Sequence, residues 1–186
     1  MRTIVCLLFL TFLSSCIEVS PLTFHWKEKK NISKTQTPQN RVEKGAPKGS
    51  TVIFNLEKVV DHNINKVNFR LIAHANILGK EPGYPYFKHG KSLVLILNNK
   101  ERITFTSTIG GVQKTKWVGF NIALNVFRTF HETVAYDFIT RKTLERIGKA
   151  KSIKYKLIGR HTTLEGELKP ETLRIFRNFV EDNILY

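Results

Sequence analysis

Residues 66–78 read KVNFRLIAHANIL, and their alternation decides the fold class. Val67, Phe69, Leu71, Ala73, Ala75 and Ile77 fall on one side of an extended chain, while Asn68, Arg70, His74 and Asn76 fall on the other. Successive side chains of a strand point to opposite faces, so this period of two predicts a half-buried strand. The same signal recurs outward from it. Residues 92–97 form a short apolar run, 98–101 read NNKE, and 102–107 are β-branched and aromatic, which together predict a hairpin. Residues 79–91 hold Pro82, Gly83, Tyr84, Pro85 and Tyr86 and read as a surface loop.

Beyond Gly110-Gly111, residues 117–127 and 132–139 are two further strand candidates, with a helix over 119–130 as the alternative to the first. They would place Phe120, Ile122, Leu124 and Val126 on one face, and Val134, Tyr136 and Phe138 on the next. Thr140 is suited to cap a short helix over 141–149 that turns Leu144 and Ile147 inward. Residues 152–160 then set Ile153, Tyr155 and Leu157 against Lys154, Lys156 and Arg160. A last helix opens with Pro170 and Glu171 and buries Leu173, Phe176, Phe179 and Val180. Strands first, then strand and helix in turn, predict an α+β fold: a mainly antiparallel sheet with two C-terminal helices packed on one face.

The chain has 186 residues, 41% of them apolar, with 30 Lys plus Arg against 15 Asp plus Glu and a formal charge of +15. That apolar share excludes a wholly disordered chain, and the length suits one domain with a tail. The charge points to anionic partners without choosing among them. Two cysteines, Cys6 and Cys16, exclude a disulfide-dense scaffold and a four-cysteine zinc site. Residues 17–50 are dominated by Lys, Asn, Thr, Pro and Gly, which is linker composition with a flexible reach of ~30–35 Å. The expected organisation is therefore 1–15 as a signal, 16–50 as a tether that begins at Cys16, and 51–186 as the folded domain.

The signal is read from residues 1–15, MRTIVCLLFLTFLSS: Arg2, an apolar run from Ile4 to Leu13, then two serines. Ten apolar-rich residues span only ~15 Å as a helix, about half a bilayer core, so this is a secretory signal rather than a span. Its end, Leu13-Ser14-Ser15-Cys16, resembles the lipobox of bacterial lipoproteins. The resemblance covers about 16 residues. It implies a diacylglyceryl group on the sulfur of Cys16, cleavage before Cys16 and acylation of the new amino group. It also implies attachment to a membrane through lipid. In such lipoproteins an Asp after the cysteine favours the inner membrane; Ile17 stands there, which leans towards the outer membrane. A secreted, unlipidated chain cut after Cys16 is the alternative, and it would bind nucleic acid or an anionic glycan.

Catalytic patterns are weak. Gly90-Lys91-Ser92 lacks the glycine a phosphate loop needs, since Pro85 stands in its place, and a strand follows where a helix is required. His131-Glu132 begins like a zinc-protease helix, but Ala135 stands where the second histidine belongs. His62, His74, His89, His131 and His161 are scattered singly, so no metal ligand set is expected. Glu165 and Glu167 face one side of a strand, and a hydrolase built on carboxylates or histidines would have to be assembled by the fold. The best signal is basic: Arg141, Lys142, Arg146, Lys149, Lys151, Lys154, Lys156 and Arg160 occur against the single acid Glu145. They are the candidate anion-binding residues. The expected function is a lipid-anchored envelope protein with a basic, non-enzymatic binding or assembly-accessory domain, without a cofactor. Its partner would be an anionic envelope component or an acidic protein rather than nucleic acid, for which no recognition motif stands out.

Overall fold

Alternation in the chain becomes two antiparallel sheets that share one core. The computed structural model describes residues 24–29, 31–38, 40–42, 51–79, 86–108, 110–117 and 128–184. Among these, the chain runs β1 (Phe24–Lys29), β2 (Ile32–Gln36), β3 (Asn40–Val42), β4 (Thr51–Asp61), β5 (Lys66–Gly79), β6 (Gly90–Leu97), β7 (Glu101–Ser107), β8 (Val112–Trp117) and β9 (Arg128–Tyr136). Helix α1 (Arg141–Lys149), β10 (Ile153–Ile158), β11 (Thr163–Glu167) and α2 (Pro170–Ile184) complete it. The larger sheet has the order β1-β2-β4-β5-β9-β8, with β3 also beside β4, and the smaller has the order β11-β10-β6-β7. The class is α+β, as the patterning predicts, but the strands divide between two sheets rather than forming one.

The spine of the larger sheet is the β4–β5 hairpin, paired from Thr51↔Asn76 to Asp61↔Lys66. Its inner face supplies Val52, Phe54, Leu56, Leu71, Ala73 and Ala75, all fully or almost fully buried. Facing them, β6 and β10 contribute Leu93, Leu95, Leu97, Ile153, Tyr155 and Leu157 to the same hydrophobic cluster. Phe54 meets Tyr155 edge to face at 5.1 Å, and Phe105 meets Tyr136 at 6.0 Å, so aromatic rings join the two layers. Each such pair contributes ~0.5–1.5 kcal/mol beyond its burial. The helices enter the same cluster through Leu144 and Ile147 of α1 and Leu173, Phe176, Phe179 and Val180 of α2. Thr140 caps α1 by accepting from Thr143 N, as the sequence predicts. A Cβ on Gly148 would lie 3.0 Å from Cβ of Val180, so the glycine is what lets α1 approach α2.

Three expectations change. First, the segment expected as a tether contains β1, β2 and β3, and the folded unit therefore takes in residues before Thr51. Ile32–Gln36 pair with Asp61–Glu57, and Asn40–Val42 pair with Phe54–Val52. Between the two ladders, Thr37 is buried: its N donates to Leu56 O at 2.9 Å, and its Oγ1 accepts from Leu56 N at 3.0 Å. Ladder bonds hold these strands, so polar side chains do not prevent them. Second, the strand expected over 132–139 begins at Arg128 and ends at Tyr136, because Phe138 takes a left-handed conformation with φ +59°. Third, β8 occupies residues 112–117, which carry no apolar alternation. Of the strand or helix expected within 117–130, residues 118–127 lie outside the described residues, as do 80–85 of the expected loop and the signal and lipobox of residues 1–16.

The β6–β7 turn fits its residues closely. Asn98 and Asn99 both have positive φ, 52° and 58°, a conformation that Asn adopts more readily than most residues. Asn98 Oδ1 also accepts from Lys151 N at 2.8 Å and Ser152 N at 3.3 Å, which fastens the turn to the chain leaving α1. Replacing Asn98 with Ala should therefore destabilise the protein by ~1–3 kcal/mol, since it leaves those donors unmet and strains the turn. Asn99→Gly should leave stability unchanged or raised. Urea unfolding followed by circular dichroism measures both.

Candidate functional site

The outer face of the smaller sheet holds the strongest arrangement of charged groups on an apolar floor. Strand register builds it: Lys154 lies opposite Ile96, which lies opposite Arg102, and Lys156 lies opposite Val94, which lies opposite Thr104. On the other side of β10, Lys154 faces Glu167 and Lys156 faces Glu165. Because Tyr155 and Leu157 turn into the core, the alternating lysines must point outward, and both are exposed. The result is an open groove of about 560 Å³. Val94 and Ile96 form its floor, Arg102, Lys154 and Lys156 its cationic side, and Glu165, Gly166 and Glu167 its other wall. Lys156 Nζ lies 2.5 Å from Glu165 Oε1, so one lysine is already paired.

The eight basic residues singled out in the sequence do not converge on this groove. Arg141, at the start of α1, pairs with Glu145 at 3.2 Å and donates to the carbonyl of Ile184 at the end of α2. Arg146 pairs with Glu101, beside the β6–β7 turn. Lys142, Lys149 and Lys151 are exposed on or just after α1. Arg160 lies at the far end of β10, where its N donates to Tyr86 O at 2.9 Å. Lys154 and Lys156 alone line the groove, and Arg102, remote in sequence, joins them through hairpin register. Glu165 and Glu167 stand on one wall of the groove, two residues apart on one strand, rather than facing each other across it.

Two other polar clusters are built into the fold. Between the sheets, Glu132 of β9 is 1% exposed, and its Oε1 accepts from Phe87 N at 2.7 Å. Gly111 packs against this carboxylate so closely that a Cβ there would fall 2.1 Å from Oε1. Nearby, Tyr136 Oη and Ser92 Oγ share a hydrogen bond of 3.0 Å. Burial pushes the Tyr136 phenol well above its ordinary value; the Ser92 bond opposes this and the Glu132 charge adds to it. On the outer face of the larger sheet, His74 Nδ1 bonds Thr133 Oγ1 at 2.8 Å, and His131 Nδ1 bonds Asn76 Oδ1. Arg70 joins Asp137 at 2.5 Å and Glu57 at 3.3 Å.

Among the described residues, no three or more His, Cys, Asp and Glu side chains come together as a metal-holding group. No helix among them is long and apolar enough to cross a membrane. No protein-family model matches the chain, and no curated protein sequence matches it.

His74 supplies a pH dependence with a definite sign. Burial lowers its pKa below 6.5, so at falling pH the unfolded chain takes up the imidazole proton first. The stabilisation is complete above the unfolded value and is lost as pH falls through the folded one. Thr133 on β9 and Ile53 on β4 flank His74 in register, and neither carries a charge to offset protonation. The urea midpoint of the protein should fall from about pH 7 to about pH 5, and His74→Gln should flatten that decline. Subtracting the two profiles removes the carboxylates common to both.

Proposed function

We propose that this protein is a lipid-anchored lipoprotein of the bacterial envelope whose α+β domain binds or docks another envelope component without catalysing a reaction. Two features support the reading. The Leu13-Ser14-Ser15-Cys16 lipobox supplies the anchor: one acyl chain holds a protein only marginally, whereas two or three hold it stably. By the same resemblance, the lack of an Asp after the cysteine, where Ile17 stands, leans towards the outer membrane. The groove supplies the docking surface, and the observation that carries it is the row Lys154–Ile96–Arg102, in which two cations flank an apolar residue on an open sheet face. A partner with acidic and apolar groups in alternation, such as an acidic protein segment, matches that row. An anionic glycan or lipid phosphate would engage the cations and leave the floor unused. The hydrolase reading gains less from the site, because Glu165 and Glu167 share one wall.

The anchor has a direct test. Cys16→Ala should abolish lipidation and processing at the lipobox, so that the chain keeps its signal, changes in mature mass and takes up no labelled fatty acid; an unchanged mass and unchanged labelling would sink the lipoprotein. The groove is tested by binding of a fluorescent poly-glutamate peptide across a salt series. Affinity should fall steeply with salt. Neutralising Arg102, Lys154 and Lys156 together should weaken it about tenfold, from about 0.5 kcal/mol for each exposed charge. Neutralising Lys142 and Lys149 on α1 should change it less than about twofold. Equal losses in both variants would mean that net charge, not the groove, does the binding.

A further inference from the structure

The end of the larger sheet where β4 turns into β5 carries apolar side chains that the fold pushes into water. Ile64 is 66% exposed, Val67 47% and Phe138 67%. Phe138 is the informative one. Its φ of +59° lies in the left-handed region, where a bulky residue is costly, and Asn68 Oδ1 accepts its N–H at 3.1 Å. The next residue, Ile139, returns to the core, with its N donating to Phe69 O at 3.0 Å. A single strained residue thus holds an aromatic ring outward, with Lys66 Nζ 5.7 Å from the ring centre.

Hydrogen bonds also brace this end. The β1–β2 and β4–β5 turns are bonded side by side: His62 N donates to Asn31 O at 2.8 Å, Ser33 Oγ bonds His62 Nε2 at 2.9 Å, and Asn31 donates to Asn63. Register places Lys29 opposite Ile32 at the same end. Exposed aromatic and aliphatic side chains beside a lysine suit a bilayer interface, where rings enter the headgroup boundary and an ammonium group meets lipid phosphates.

Chain length lets this end reach a bilayer. From Cys16 to Phe24 the chain extends to at most about 29 Å. From Phe24, β1 runs about 17 Å along its five steps to Lys29 at the tip. The longer reach allows the tip to lie on the membrane that holds Cys16. We infer that Ile64, Val67 and Phe138, with Lys66 beside the ring, form a second membrane contact in which this sheet end inserts into an anionic lipid surface and fixes the orientation of the domain. The inference rests on anchoring through Cys16 to bring the tip to a bilayer, but its contact can be measured apart from the anchor.

The experiment uses the full chain carrying Cys16→Ala, floated with vesicles of equimolar phosphatidylglycerol and phosphatidylcholine or of phosphatidylcholine alone. Every comparison shares one N-terminus, and binding is titrated against lipid concentration below saturation, so the contribution of the signal enters each affinity as the same factor. Phe138→Gly should weaken binding to the anionic vesicles at least about tenfold, the change expected for withdrawing one ring from an apolar phase. Because glycine accepts positive φ freely, this variant should unfold no more easily than the parent, and urea unfolding excludes a folding defect. Ile64→Asn and Val67→Thr should act in the same direction. Equal vesicle binding by parent and Phe138→Gly would overturn the inference, as would equal binding of the parent to neutral vesicles. Loss of a crosslinked protein neighbour on Phe138→Gly, with vesicle binding intact, would also overturn it in favour of a protein partner. Loss of fatty-acid labelling on Cys16→Ala reports on the anchor alone, so failure of the tip and failure of the anchor read out separately.

Discussion

The hydrogen bond between Tyr136 Oη and Ser92 Oγ spans the two sheets, and much of the structure is arranged around it. Tyr136 belongs to β9 of the larger sheet and Ser92 to β6 of the smaller, and both are buried. A buried hydroxyl without a partner costs ~1–3 kcal/mol, so the two layers must meet in the one register that pairs these oxygens. Phe105 packs edge to face on the Tyr136 ring, and Glu132, four residues earlier on the same face of β9, accepts from Phe87 N. Together these contacts choose how the smaller sheet lies on the larger. Apolar burial supplies the drive for the layers to associate; the polar contacts select the alignment.

That alignment has a consequence for the outer surface. With Tyr155 and Leu157 committed to the core, the residues between and beside them on β10 have no choice of face. Lys154 and Lys156 point outward, and antiparallel register brings Glu167 and Glu165 to one side of them and Ile96 and Val94 to the other. Val94 is only 2% exposed although it belongs to the open face. Amphipathic cations commonly lay their methylene stems over apolar floors of this kind. The groove is thus a by-product of core alternation that the choice of flanking residues has made chemically specific.

Local pattern carried as far as local physics allows. The strand at 66–78, the 92–107 hairpin, the Thr140 cap and the α2 stripe of Leu173, Phe176, Phe179 and Val180 were legible because each is decided by residues within a few positions of one another. Alternation states that a face is buried but not against what, so the division into two sheets was not legible. Nor was the role of residues 24–42: their polar side chains resemble a tether, and what orders them is ladder bonding to β4, a partner distant in sequence. In the site, the common face of Lys154 and Lys156 followed from their spacing. Arg102 did not, because its place beside Lys154 depends on two registers in succession.

The basic segment from 141 to 160 shows why charge counted along a chain misleads. Its eight cations look like one patch in sequence, yet the turn after α1 and the length of β10 scatter them, since four strand steps carry the chain about 13 Å from Lys154 to Ile158 and Arg160 lies beyond the strand end. At physiological salt, exposed charges that far apart are screened from one another over about 8 Å. Arg141 and Arg146 are further occupied by Glu145 and Glu101. What remains able to act together is a local set defined by register and floor. Net charge of +15 then raises encounter with anionic surfaces of any kind. Discrimination among them belongs to the places where a cation stands beside apolar area: Lys154 and Arg102 beside Ile96 in the groove, and Lys66 beside Phe138 at the sheet end.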